Sequence, residues 1–225
     1  MNAAVCSFWL AKSDWDDYMW LVWLGIIAVG LGVGWYLQRK RREELGQAAA
    51  QMGFSFDAEA ASLGGETFLE LPLLKRNSGL SNALRGSAST GEAAVLDVRV
   101  GHGKHSYTQT VACLRLAGKR LPAFELRPEH FGHKIAGAFG YQDIDFEMNP
   151  GFSKSYLLRG PEEPAVRALF QGAALQFFES EKGWSVEGAG DWLAVYRQGK
   201  TVKPRDLAGF LQDATRIAQV FAASV

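Results

Sequence analysis

Hydrophobic and polar positions change their period several times along this chain, and the first change is the largest. Tyr18 to Gln38 (YMWLVWLGIIAVGLGVGWYLQ) carries no charged side chain, and Arg39-Lys40-Arg41-Arg42 follows it at once. A helix of that length rises roughly 30 Å, the thickness of a bilayer's hydrocarbon core. The pattern predicts one transmembrane helix over 18–38, and no second apolar run of that length follows. Lysine and arginine are retained on the cytoplasmic face during insertion. Only Lys12 precedes the span, beside Asp14, Asp16 and Asp17, whereas four cations follow it. The expected topology is therefore an external, periplasmic segment over 1–17 in a bacterial cell, a single pass through the inner (cytoplasmic) membrane, and the bulk of the chain inside. A cleaved signal peptide would place its basic residues before the apolar run and would not tolerate a basic tetrad after it.

Side chains within and beside the span sharpen that reading. Trp20 and Trp23 near one end and Trp35 with Tyr36 at the other are placed as interfacial belts, where an aromatic ring keeps a polar edge in water. Arg39, Lys40, Arg41 and Arg42 are expected to meet anionic headgroups. Gly30 and Gly34 form a G-x-x-x-G, and Ala28 with Gly32 repeats the spacing, so another helix can approach closely. A helix that simply faces lipid is the competing reading of the same residues. Ser13 followed by Asp16 resembles a capping box, which starts the helix near Asp14. Val5, Phe8, Trp9 and Lys12 have helical spacing, compatible with an amphipathic turn on the outer membrane surface or with a frayed terminus.

Beyond the tetrad the period alternates between helix and strand. The basic stretch 39–52 is rich in helix formers and stops at Gly53, so the anchor helix is expected to continue into the domain. Gly53 to Phe56 alternates briefly, Thr67 to Leu74 is apolar, and Lys75 to Asn82 reads as a loop. Ala93 to Val100, a tight Gly101–His105 connection and Tyr107 to Leu116 have the period-2 alternation of a β-hairpin. Ala83 to Ser89 is expected to pair on one side of it and Ala123 to Leu126 on the other. Pro128 opens a predicted helix over Glu129–Phe139, Asp143 to Glu147 alternates acid with apolar residue like a strand, and Phe152 to Arg159 reads as another. One helix is predicted from Pro161 and Pro164 through Phe177. A second hairpin joins Trp184–Val186 to Trp192–Tyr196 around Gly188-Ala189-Gly190. The final helix opens at Pro204 and carries Leu207, Phe210, Leu211, Ala214, Ile217, Ala218 and Phe221 on one stripe, which should cap a sheet face. This order predicts an α+β domain over 53–225, a mostly antiparallel sheet with helices packed on it.

The Gly53-Phe54 strand start, the hairpin over 93–116, the Asp143-Ile144-Asp145-Phe146-Glu147 box and the closing strand and helix over Leu193–Phe221 resemble a family of uncharacterised bacterial single-pass membrane-anchored proteins with a cytoplasmic α+β domain. The resemblance covers most of the soluble domain. It implies the topology already read and carries no activity.

Composition removes some function classes. Twenty-four basic and 24 acidic residues give a net charge of zero, without the basic footprint of a nucleic-acid binder. The two cysteines, Cys6 and Cys113, fall on opposite sides of the expected membrane, and Cys113 alternates with apolar neighbours like a buried small hydrophobe. All four histidines occur in H-x-x-H pairs, His102 with His105 and His130 with His133, and two pairs meeting in space could hold zinc. The competing reading is solvated histidines in a hairpin tip and at a helix start. Asp143, Asp145 and Glu147 on one strand face could attract magnesium or calcium, or simply keep an edge soluble. Lys104 is followed by His105, so Gly101–His105 is no phosphate-binding P-loop, and Gly151–Ser155 lacks the closing glycine of a nucleophile elbow. No catalytic signature and no cofactor motif remain. The sequence thus points to a non-catalytic accessory or scaffold subunit that contacts integral membrane proteins of a larger protein complex, such as a respiratory or photosynthetic assembly. The alternative is a membrane-tethered small-ligand sensor or enzyme.

Overall fold

In the computed structural model, residues 15–129 and 143–223 are described. The segment before Trp15 expected to be external, the predicted helix beyond Glu129 and His130 and His133 lie outside those residues. The chain divides into two compact units, Met1–Arg41 and Arg42–Val225.

Helix α1 spans Trp15–Gln51 as one element. It stops where the helix formers run out: Gly53 takes a left-handed φ of 72°, and the backbone N–H of Phe54 closes back on the Ala49 carbonyl at 2.8 Å. Glycine reaches that conformation without a Cβ penalty, which is why helices commonly end there. Within the second unit the last turns of α1 bury Leu45 and Ala49 in the domain core.

One eight-stranded antiparallel sheet organises the second unit. Its strands are β1 (Ser55–Asp57), β2 (Asn77–Ala88), β3 (Gly91–Val100), β4 (Tyr107–Arg115), β5 (Leu121–Pro128), β6 (Tyr156–Arg159), β7 (Ser185–Gly190) and β8 (Trp192–Tyr196). They lie in the order β1-β2-β3-β4-β8-β7-β5-β6. The α+β class and the two hairpins are as the sequence predicts. The expected β4–β5 neighbourhood is not. β8 pairs with β4 and β7 with β5, so the second hairpin inserts between them.

Three further elements depart from the sequence pattern. Lys75–Asn82 is not a loop: from Asn77 it forms the first half of β2, with register shifts at Asn77/Gly79 and Ser81/Leu84. The polar residues that imitate a loop sit where the strand bulges. There Asn82 adopts a φ of 53° and donates from Nδ2 to Asp97 Oδ2 at 2.9 Å. Asp143–Glu147 is not a ladder strand. Ile144 donates its N–H to the Leu158 carbonyl at 2.8 Å, but the return bond comes from Leu158 N–H to the Asp143 side chain, also 2.8 Å. A side chain has replaced the backbone acceptor, and pairing ends. The helix expected to run on to Phe177 is two short ones, α4 (Glu163–Leu169) and α5 (Ala173–Ser180), broken at Gly172 with φ 52°. The preceding Phe152–Arg159 stretch likewise divides into a one-turn α3 (Pro150–Ser153) and β6.

Both sheet faces are covered. On the first, α6 (Leu207–Ala223), α4, α5 and the end of α1 pack over Val95, Leu114, Phe124, Leu126, Val186 and Val195. Rings of Phe124, Phe152, Tyr156, Phe170, Phe178 and Phe221 form its centre, with Phe124 and Phe170 edge to face at 5.2 Å. Each such side chain, fully buried, contributes roughly 1.5–3 kcal/mol. On the second face, residues 58–76 cross the sheet as a strap of two 3-10 turns (Ala61–Leu63 and Thr67–Glu70) and a short α2 (Pro72–Lys75). Leu63, Phe68, Leu71, Leu73 and Leu74 of the strap pack on Leu96, Val98, Val111, Cys113 and Ala194.

Candidate functional site

In the first unit the apolar part of α1 is exposed among the described residues. From Met19 to Lys40 every residue is exposed, Leu31 to 70%. A Cβ added at Gly30, Gly32 or Gly34 would meet no atom within 4 Å. Residues two apart on a helix are about 200° apart. Gly30–Gly34 and Ala28–Gly32 therefore occupy opposite sides of α1, so one partner helix can use one pair only. Trp20, Trp23, Trp35 and Tyr36 are all exposed. The Arg39 guanidinium lies over the Trp35 ring, 5.5 Å from its centroid, and Lys40 and Arg41 extend the same basic run. In the second unit Arg42 pairs with Glu59 at 2.8 Å.

Among the described residues, the chemistry-bearing side chains singled out from the sequence do not converge. His102 and His105 are exposed, His105 in a one-turn 3-10 helix over Gly103–His105 at the first hairpin's tip. Asp143, Asp145 and Glu147 are exposed and irregular in backbone. Among the described residues no three His, Cys, Asp or Glu side chains are grouped to hold a metal ion. Cys113 is fully buried, and burial together with the Glu187 carboxylate pushes its thiol pKa up.

The structure instead assembles a polar cluster on the second face that sequence reasoning missed. Glu125 on β5 lies directly across from Glu187 on β7, with side chains 3% and 0% exposed. Arg127 Nη2 touches Glu125 Oε1 and stands 3.6 Å from Glu187 Oε1. Arg76, at the end of the strap, brings its Nη2 to 3.6 Å from both carboxylates. Glu187 also accepts from the Tyr196 hydroxyl at 2.8 Å and from the Leu73 backbone N–H at 2.7 Å. Burial, followed by the facing Glu125, raises the Glu187 pKa above its ordinary value of 4.5, while Arg127 and Arg76 oppose that shift. Burial, and then the Glu187 charge, raises the Tyr196 hydroxyl well above 10. With all four groups ionised the quartet is neutral, and it fixes the strap to the sheet. The only sequence signal was alternation: Glu125 and Arg127 interleave with Phe124 and Leu126, which by itself reads as a solvent face.

No family model and no curated protein matches this chain. Among solved structures it is similar to the mycobacterial trehalose monomycolate transport factor A, TtfA. The TM-score is 0.55 at 12% identity, over 82% of this chain and 93% of that one. At that identity the likeness is one of fold.

Proposed function

We propose that this protein is a non-catalytic, membrane-anchored accessory subunit that docks onto an integral membrane protein of a larger complex. The observation that carries the proposal is α1: a helix long and apolar enough to cross a bilayer, exposed from Met19 to Lys40 among the described residues, and bearing glycines with open space around them. Such a helix needs lipid or another helix against it. The basic residues after the span favour a cytoplasmic domain, an outside N-terminus and contact with anionic headgroups. The likeness to a transport factor favours a transport assembly as host over a respiratory or photosynthetic one. The docking face is Gly30–Gly34, with larger residues excluded by the close approach.

The test is extraction of the full chain from native membranes in mild detergent at native abundance, with the parent, Gly30→Leu/Gly34→Leu and Ala28→Leu/Gly32→Leu compared. One integral membrane protein should co-purify in fixed stoichiometry with the parent and the Ala28/Gly32 variant, and be lost from the Gly30/Gly34 variant. A parent chain that migrates alone as a monomer, or that is recovered cleaved after the apolar run, refutes the proposal.

A further inference from the structure

The ionic quartet lies where the strap's end meets β5 and β7, and its members differ in freedom. The Arg127 side chain is 8% exposed and belongs to β5, which is paired on both sides, whereas the Arg76 side chain is 31% exposed and ends the strap. Arg76 Nε donates to the Pro72 carbonyl within the strap at 3.1 Å, whereas Nη1 and Nη2 are buried without a hydrogen-bond acceptor, so its link to the sheet is charge at 3.6 Å. Of the four groups it is the one that can withdraw to solvent. If it does, two carboxylates directly opposite one another keep a single counter-charge, an arrangement that binds a proton to remain neutral.

We propose that the strap over residues 58–76 is a proton-controlled cover on the second face of the sheet, held shut by the neutrality of the Arg76, Glu125, Arg127 and Glu187 quartet. Binding of a proton to the carboxylate pair leaves two guanidiniums against one negative charge, and Arg76 is expelled. Arg76 departure and protonation of the pair are linked, so each promotes the other. The other titratable or charged groups on this face are Tyr196 on β8, Tyr107 and Cys113 on β4, and Arg159, which stands opposite Glu125 on β6. Glu66 of the strap is a further carboxylate, paired with Arg85 of β2; it is unchanged in the Arg76 and Glu187 variants below, so it acts alike in all of them. Opening would bare an apolar strip that includes Leu96, Val98, Val111 and Ala194.

The face carries its own reporter. Cys113 pairs with Ala194, which pairs with Glu187, so the thiol lies in the same cross-strand row as the quartet and beneath the strap. Cys6→Ser in the full chain leaves it the sole thiol. Its rate of reaction with excess dithiodipyridine is measured from pH 8 to pH 5 and divided by that of an unfolded peptide of the same local sequence, which removes the intrinsic thiol ionisation. The parent should show a normalised rate rising about tenfold on acidification, the response to a coupling of ordinary size. Arg76→Gln should invert the profile, fast at pH 7.5 and slower in acid, because there a proton restores neutrality. Arg76→Gln/Glu187→Gln, neutral without a proton, should be slow and flat. A flat parent profile, parallel profiles in parent and Arg76→Gln, or acid labelling that tracks loss of circular dichroism overturns the proposal. Should Arg76→Gln not fold, the double variant decides: the parent's slope in that variant also overturns it.

Discussion

Gly188→Ala tests how the second hairpin is built. Gly188 lies inside β7 rather than at the turn the sequence suggested, because the hairpin closes later, between Gly190 and Trp192. Its missing side chain is replaced by the Phe124 ring. An added Cβ would sit 2.4 Å from Phe124 Cε1, 3.0 Å from Cζ and 3.1 Å from Leu121 Cδ1. Carbon atoms are comfortable at roughly 3.5–4.0 Å, so about 1 Å must be found. Phe124 has little room to yield: it is fully buried, edge to face on Phe170 at 5.2 Å and tilted on Phe221 at 5.5 Å. Overpacking of this kind costs about 1–3 kcal/mol. We expect the upper half of that range, since the alternative is to shift β7 and with it Glu187, the adjoining residue, which holds the strap. In a domain of this size the Tm should fall by roughly 4–10 °C. Thermal unfolding of the full chain, followed by circular dichroism in detergent, reads this directly. Gly188→Ala/Phe124→Leu, which makes room, should recover at least about 1 kcal/mol relative to the sum of the single changes. A Gly188→Ala melt within a degree of the parent, or strictly additive changes, would show that the ring does not fill the glycine's place.

The remaining predictions concern charge and metal. Arg127→Ala should destabilise by about 3–5 kcal/mol at neutral pH, because two buried carboxylates then face one another with Arg76 alone between them. The Glu187 pKa is already raised above 4.5 by burial and Glu125, and loss of the guanidinium raises it further. The folded state then holds the proton more tightly than the unfolded one, so stability falls as pH rises from 4.5 through the folded value, and the Arg127→Ala deficit should shrink toward pH 5. Urea midpoints at pH 7.5 and pH 5 check this, and an equal deficit at both would remove the carboxylate pair as its cause. His102→Ala/His105→Ala changes two exposed loop side chains and should leave stability within about 0.5 kcal/mol of the parent. It should also leave the metal content unchanged; elemental analysis that finds stoichiometric zinc in the parent and none in the variant would restore a metal role for this pair.

Much of the architecture was legible because its cues are local. The end of α1 follows from Gly53, the first hairpin from the alternation on either side of Gly101–His105, and the closing helix from the stripe Leu207 to Phe221. Reading failed wherever a distant segment decides. Asn77 to Asn82 look like a loop because a bulged strand uses loop residues, and their pairing is decided by Asp97 to Val100 across the sheet. Asp143 to Glu147 look like a strand because burial alternates along them, but Asp143 itself takes the hydrogen bond that a ladder neighbour would have taken. Gly188 looks like a turn because a glycine carries no sign of the ring that fills its space.

What the sequence determined by itself is a helix long and apolar enough to cross a membrane, its expected orientation, the α+β class and the lack of a catalytic motif, all consequences of length, period and charge order. The tertiary structure decided that the polar side of β5 and β7 is not a water-facing side. A strap whose own sequence shows only an apolar run from Thr67 to Leu74 closes over it, turning Glu125, Arg127 and Glu187 into buried charges that need Arg76. Alternation along a strand tells which residues share a face; it cannot tell whether another part of the chain covers that face. The energetic meaning of a charge depends on that cover, because removing water is what makes an unbalanced carboxylate pair costly.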